Sequence, residues 1–203
     1  FEVNRSHRIE YKIMKRIVIF ASGSGSNALN LIQYFNHGNE ANVVAVFSNK
    51  KEAGVVQKTI DKHVDLRCFN RHDFYQSNNV IDMLKSYRPD IIVLAGFLWL
   101  VPENFIHAFD GLIVNLHPSL LPKFGGKGMY GENIHKAVIK NKDKTSGLTI
   151  HYVNDKYDDG AIIFQKTIRL EPCETPLSLS KKILDQEHIN YPVEIEKLLT
   201  SDQ

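Results

Sequence analysis

Five strand-length runs, most of them apolar at nearly every position, constrain this chain more than any other feature, and segments with helical period separate the first four. They fall at residues 15–21, 42–47, 64–69, 90–95 and 111–116, with Ile17-Val18-Ile19-Phe20-Ala21 and Ile91-Ile92-Val93-Leu94 the plainest. Between the first two, Ala28, Leu31, Ile32 and Phe35 recur at helical spacing over 27–37, and further helices are expected at 54–63 and 73–87, the last stopped by Pro89. A strand exposed on one face alternates apolar with polar residues. One that is apolar on both faces is covered on both, which is the signature of a parallel sheet between helical layers.

The pattern changes after Pro122. A glycine-rich loop, Phe124-Gly125-Gly126-Lys127-Gly128, leads to a helix at 133–140. Two alternating strands follow at 147–153 and 162–170, joined by the acidic loop 154–160, and a helix at 177–199 kinked at Pro192 completes the chain. The expected fold is α/β: a Rossmann-like three-layer arrangement, mostly parallel, with helices on both faces and an antiparallel C-terminal strand pair. With 203 residues, 43% of them hydrophobic, one core and one domain spanning 14–203 are expected. Residues 1–13 are charged, lack period and precede Met14, and read as a vector-derived extension.

Composition excludes some partners. Twenty-five basic and 23 acidic residues leave a formal charge of +2, too balanced for a nucleic-acid or membrane footprint. The longest apolar runs fall far short of the roughly 18 residues of a membrane span. Cys68 and Cys173 form neither a metal-ligand spacing nor a disulfide framework, which fits a cytoplasmic location.

Three polar centres carry the chemistry. The first is Ala21-Ser22-Gly23-Ser24-Gly25-Ser26-Asn27, between the first strand and the first helix. Small residues let such a loop point its N–H groups and the helix end at one anion. It formally satisfies Gly-x-Gly-x-x-Ala, but the second strand ends in Phe47-Ser48-Asn49-Lys50-Lys51, without the acid that holds a dinucleotide ribose. The bland alternative is a turn that only packs helix on strand. A monophosphate site is the better reading, with Ser26 and Asn27 adding side-chain donors.

The second centre is Asn115-Leu116-His117-Pro118-Ser119-Leu120-Leu121-Pro122, where a buried strand opens into a loop. Asn115 and His117 are two apart and leave an extended backbone from one face. An amide beside an imidazole can stabilise an oxyanion and move a proton, although a polar pair at a strand end is also a common structural cap. The third centre is His151 with Asp155, Asp158 and Asp159 in the loop after it. Such a loop is usually solvated, but one carboxylate brought to His117 would orient the ring and favour its charged form. His117, His135 and His151 have no short chelating spacing, so no metal is expected.

Taken together and in order, these motifs resemble the folate-dependent glycinamide ribonucleotide formyltransferases, from about Met14 to Leu199. The likeness also includes Val93-Leu94-Ala95-Gly96-Phe97, His135-Lys136-Ala137, the stretch from Gly147 to Gly160, and Gln186-Glu187-His188. It implies a catalytic trio of Asn115, His117 and Asp158, with 10-formyltetrahydrofolate as formyl donor and 5-phosphoribosylglycinamide as acceptor. It implies that Gly23, Ser24, Gly25, Ser26 and Asn27 surround the substrate phosphate and that Glu187 meets the ribonucleotide. The folate is expected near Leu98, Trp99, Leu100 and Val101 and near His151, Asn154 and Asp155, with Gly96, Pro118 and His135 lining the site. Trp99 stands where members often carry arginine, and the loop from Gly125 to Tyr130 is longer than in the shorter members.

The implied reaction is attack of the glycyl amine on the formyl carbon, with no metal and no covalent enzyme intermediate, by a monomer or homodimer. Two relatives of the same superfamily are weighed against it. A methionyl-tRNA formyltransferase is expected to carry an Arg-Gly loop after Ser-Leu-Leu-Pro and a C-terminal RNA-binding domain. A formyltetrahydrofolate hydrolase is expected to carry an N-terminal regulatory domain. From another class, an NADP-binding oxidoreductase could use Ser48, Asn49 and Lys50 on a 2′-phosphate, but it leaves Asn115, His117 and Asp158 without a task.

Overall fold

The computed structural model describes residues 14–38 and 40–201; the expectation for residues 1–13 lies outside them. Among the described residues, seven strands form one sheet in the order β3-β2-β1-β4-β5-β6-β7. The strands are β1 (Lys15–Ala21), β2 (Ala41–Ser48), β3 (Asp65–Cys68), β4 (Ile91–Leu94), β5 (Leu112–His117), β6 (Thr145–Tyr152) and β7 (Ile162–Arg169). The first five pair in parallel, while β6 is antiparallel to both β5 and β7. The antiparallel C-terminal pair therefore extends the sheet at its β5 edge.

The helices are α1 (Ser26–Phe35), α2 (Gly54–Asp61), α3 (Arg71–Tyr75), α4 (Asn79–Ser86), α5 (Glu103–His107), α6 (Glu132–Lys140) and α7 (Pro176–Thr200). They divide the core into two halves. Ile17, Ile19 and Val93 face one layer, packed by Leu31 of α1, Ile134 of α6 and Ile183 of α7. Val18, Phe20 and Ile92 face the other, packed by Phe74, Leu84 and Phe105 of α3, α4 and α5. Alternate residues of a strand point to opposite faces, so a run that is apolar at every position fills both layers.

Three local departures from the sequence reading have physical causes. The helix expected at 73–87 is two helices. Asn70 starts α3 with a reciprocal capping box to Asp73, and the Ser77 hydroxyl donates to Asp73 O, so polar side chains take up backbone groups at the break. The short helix α5 was not anticipated; it begins directly after Pro102 and buries Phe105 alone. Strand β6 is buried almost throughout and does not alternate, because it lies inside the sheet between β5 and β7. Helix α7 continues past Pro192, as expected, and buries that proline.

Topology decides where a ligand can sit. From β1 the chain builds outward through β2 and β3, then returns to lay β4 on the other side of β1, so the loops leaving β1 and β4 diverge and open a crevice at their carboxyl ends. Two hydrogen bonds tie these loops: Ser22 N–H donates to Gly96 O at 3.1 Å, and Leu98 N–H donates to Ser22 Oγ at 3.1 Å. Strand β5, next in order, delivers Asn115 and His117 to the same end. No helix among the described residues is long and apolar enough to cross a membrane.

Candidate active site

A cleft of about 620 Å³ lies over the carboxyl ends of β1, β4 and β5. Asn115, His117 and Asp158 line it together, although Asp158 is 41 residues from His117 in sequence. His117 Nδ1 stands 3.3 Å from Asp158 Oδ1, and His117 Nε2 lies 2.8 Å from the Phe124 carbonyl oxygen. Both partners accept hydrogen bonds, so a ring carrying both N–H groups satisfies the two contacts together. Asp158 has φ 55, a left-handed conformation that aspartate tolerates better than most residues. Its second oxygen accepts from Gly126 N–H at 2.9 Å. Burial works against the Asp158 carboxylate. The hydrogen bond and charge of His117 and the Gly126 N–H outweigh it, so its pKa lies below the ordinary aspartate value.

Strand register explains a further contact. Asn115 of β5 lies directly opposite His151 of β6, which brings their side chains together on one face. Asn115 Nδ2 is 3.1 Å from His151 Nε2. His151 Nδ1 faces the Tyr152 carbonyl oxygen at 2.8 Å and so carries its N–H there, leaving Nε2 as an acceptor. Burial lowers the His151 pKa, and that keeps the ring neutral in this role. His151 therefore fixes which way the Asn115 amide points, and one N–H of that amide remains for the cleft.

The turn after His117 is held from β6 and β7. Thr149 Oγ1 accepts from Leu121 N–H at 3.0 Å and donates to Ser119 O at 2.6 Å, while Gln165 Nε2 donates to Leu121 O at 2.9 Å. The Ser119 hydroxyl donates to Lys123 O at 2.7 Å. These bonds fix the path that brings the Phe124 carbonyl back to His117. Neither Thr149 nor Gln165 was singled out from sequence, since their role depends on strand pairing.

On the other side of the cleft, Ser24, Ser26 and Asn27 line its wall at the start of α1. Gly25 has φ 75, and a Cβ there would lie 2.6 Å from Val55, so both conformation and space require glycine. Asn27 Nδ2 donates to Glu187 Oε2 at 2.7 Å. Glu187 belongs to the buried stripe Leu179, Ile183, Glu187, Tyr191 and Ile195 of α7 and is 7% exposed. An isolated reading of Gln186-Glu187-His188 suggests solvated surface; the four-residue spacing of that stripe is the signal against it. Burial raises the Glu187 pKa, partly offset by the Asn27 hydrogen bond and the charge of His117.

The residues expected around a folate are divided. Leu98 and Gly96 line the cleft, as do Pro118 and His135. Trp99 instead packs with Phe69, Phe74 and Tyr75, under the Arg71 guanidinium 5.6 Å from its ring centre. Leu100 offers its carbonyl to the Tyr75 hydroxyl, and Val101 is buried in the α3–α5 side of the core. Asn154 Oδ1 accepts from Lys156 N–H within its own turn, and Asn154 Nδ2 donates to Asp159. From that loop it is Tyr157 and Asp158 that reach the cleft, while Asp155 does not line it. Sequence reasoning did not single out Lys127, Met129, Tyr130, Ser180 and Leu184 as cleft residues. The described residues hold no group of three or more His, Cys, Asp or Glu side chains suited to a metal ion.

A glycine loop at the first helix, a strand-end Asn-x-His and a carboxylate returned from a distant loop all meet on one crevice of the sheet. The chain belongs to the formyl transferase family, which it matches over residues 15–195. Within that family it is similar to phosphoribosylglycinamide formyltransferases. It is 37% identical to the chloroplastic one of Arabidopsis thaliana over 183 residues, 87% of this chain and 63% of that protein. It is 32% identical to the one of Bacillus subtilis over 193 residues, 92% of this chain and 95% of that protein. The crystal structure of the Bacillus halodurans phosphoribosylglycinamide formyltransferase superposes with a TM-score of 0.83 at 36% identity, covering 93% of this chain and 97% of that one. The chain spans just under two thirds of the length of the plant relatives, 63% for Arabidopsis thaliana and 66% for Vigna unguiculata.

Proposed function

We propose that this chain transfers the formyl group of 10-formyltetrahydrofolate to the glycyl amine of 5-phosphoribosylglycinamide. The products are the N-formyl ribonucleotide and tetrahydrofolate, a step of de novo purine (IMP) biosynthesis. The observation that carries the reading is the linked set Asn115, His117 and Asp158 on the cleft that also contains the α1 glycine loop.

Chemistry follows from these groups. The neutral glycyl amine attacks the formyl carbon and its carbonyl oxygen becomes an oxyanion. The free N–H of Asn115 stabilises that charge, and the His117 Nε2–H joins it on turning from the Phe124 carbonyl; loss of one such donor costs about 10²–10³ in rate. Asp158 holds the His117 ring in place and, through water, takes the proton released by the attacking nitrogen. Collapse of the intermediate breaks the bond to the folate nitrogen, which leaves with a proton from His117. Bringing both reactants to one cleft supplies much of the acceleration. Gly23 to Asn27 hold the phosphate, Glu187 meets the ribonucleotide, and the folate enters from the side of Gly96, Leu98 and Tyr157. Small molecules are the partners, and the free thiols of Cys68 and Cys173 fit a cytoplasmic setting.

The oxidoreductase alternative has little support. Ser48 Oγ is turned into its own loop, donating to Lys50 O at 3.0 Å, and is fully buried. The test is to incubate the protein with both substrates and follow tetrahydrofolate and formylated ribonucleotide by mass spectrometry, with NADPH binding measured alongside. Stoichiometric formation of the two products supports formyl transfer. NADPH binding without transfer overturns it.

A further inference from the structure

The two helices that open onto the cleft on one face of the sheet start in the same unusual way. α1 begins after Gly25 at φ 75 and α6 after Gly131 at φ 53, and neither has a side-chain cap. Ser26 and Gly131 both line the cleft, so both amino ends meet it. α1, α6 and α7 pack the same core layer, opposite the side that holds Phe97, Val101 and Trp99. Beside the α6 end, His135 lines the cleft at 4% exposure, with Nδ1 buried and without a hydrogen-bond partner. A buried ring nitrogen left unpaired is costly.

Charge makes the same point. A phosphate monoester carries roughly −1.5 to −2 near pH 7, while a helix amino end supplies roughly +0.5. The α1 loop, residues 21–27, contains no lysine or arginine, and Asn27 commits an N–H to Glu187. Among the described residues lining the cleft, Lys127 is the one lysine or arginine, and it lies in the loop leading to α6. Two helix ends and one ammonium group come to about two positive charges, close to what the dianion requires. Glu132, in the first turn of α6, is occupied at the surface by Lys136 at 3.0 Å.

We infer that the amino end of α6, with His135 and Lys127, forms a second wall of the phosphate subsite, facing the start of α1. The inference rests on the ribonucleotide reading above and assigns residues to it. His135 donates a ring N–H to the ribosyl phosphate and Lys127 supplies the balancing charge. The preceding residue, Gly126, holds Asp158, so the same loop joins this wall to the carboxylate beside His117.

The test is calorimetric binding of ribose 5-phosphate, with unphosphorylated ribose as control, at low and high salt. The full chain is compared with Lys127→Met, His135→Phe and His135→Gln. Lys127→Met is expected to weaken ribose 5-phosphate binding about tenfold at low salt and less at high salt. His135→Phe is expected to weaken it about tenfold, with His135→Gln restoring part of the loss. The Michaelis constant for phosphoribosylglycinamide should rise in parallel while that for the formyl-folate stays within about twofold. Unchanged ribose 5-phosphate affinity in both Lys127→Met and His135→Phe, or losses that fall on the folate, overturn the inference. Lys127 is exposed, so its variant folds whatever becomes of His135. A wild-type protein that binds ribose 5-phosphate through these residues but forms no formylated product refutes the transferase reading and leaves the subsite standing.

Discussion

Asp158 grips two parts of the molecule at once: Oδ1 lies 3.3 Å from His117 Nδ1, and Oδ2 accepts from Gly126 N–H at 2.9 Å. One carboxylate thus joins the His117 imidazole on β5 to the glycine loop before α6. Its depressed pKa gives the pairing a definite pH signature. A carboxyl that is more acidic folded than unfolded adds stability above its unfolded pKa, near 3.9, and loses it as pH falls through the lower folded value. Asp158→Asn should therefore lower the melting temperature at pH 7 and converge with wild type in strong acid. A constant gap between the two across that range would show that the ion pair contributes nothing to stability.

His151 and His135 titrate in the same sense, in a higher pH window. Burial lowers both pKa values, so below about pH 6.5 the unfolded chain binds more protons than the folded one. Stability should fall as pH drops from about 6.5. Thermal unfolding between pH 7 and pH 5 should show that slope in wild type and a shallower one in His151→Phe and His135→Phe. An unaltered slope in both variants would remove the buried neutral rings as its cause.

His151 also tests whether it acts through Asn115. His151→Phe removes the acceptor for the Asn115 amide while keeping a ring in place. It should lower kcat by about tenfold or more and leave the Michaelis constant for the folate nearly unchanged. A rise in that constant with unchanged kcat would make His151 a folate contact instead.

Much of this was legible beforehand. The apolar runs gave β1 with its observed ends, and the two-residue spacing put Asn115 and His117 on one face. What stayed hidden depended on partners remote in sequence. The Asn115–His151 contact needs the antiparallel register of β5 on β6. The split between α3 and α4 turns on polar side chains at Asn70, Asp73 and Ser77 competing for backbone groups. Trp99 is expected from the resemblance beside a folate, and only the positions of Phe69, Phe74 and Tyr75 show the aromatic cluster in which it packs.

Glu187 should set function against stability. Its carboxyl is buried in an apolar stripe with a raised pKa. Glu187→Gln keeps an acceptor for Asn27 and removes the cost of a buried charge. A gain of about 1 kcal/mol, or about 2–4 °C in Tm, is expected near neutral pH, together with a higher Michaelis constant for the ribonucleotide. Loss of stability on this change would mean that the charge is compensated in the free protein.

Backbone contact restrains the loop that carries Asp158. A Cβ on Gly160 would lie 1.7 Å from the Tyr152 carbonyl oxygen. Gly160→Ala should cost about 3 kcal/mol or more and reduce kcat along with it, because the 154–160 turn must shift. Normal melting and turnover in this variant would show the turn to be adaptable.

The central claim is that Asn115, His117 and Asp158 act as one unit in formyl transfer, and a double-mutant cycle on turnover tests it most directly. Formyl transfer to phosphoribosylglycinamide would be measured at saturating substrates for His117→Ala, Asp158→Asn and the pair. Each single change should lower kcat by about 10²–10³, and the double should fall little below the worse single, since neither group works without the other. Near-wild-type turnover in Asp158→Asn, or losses that multiply in the double mutant, would contradict the account.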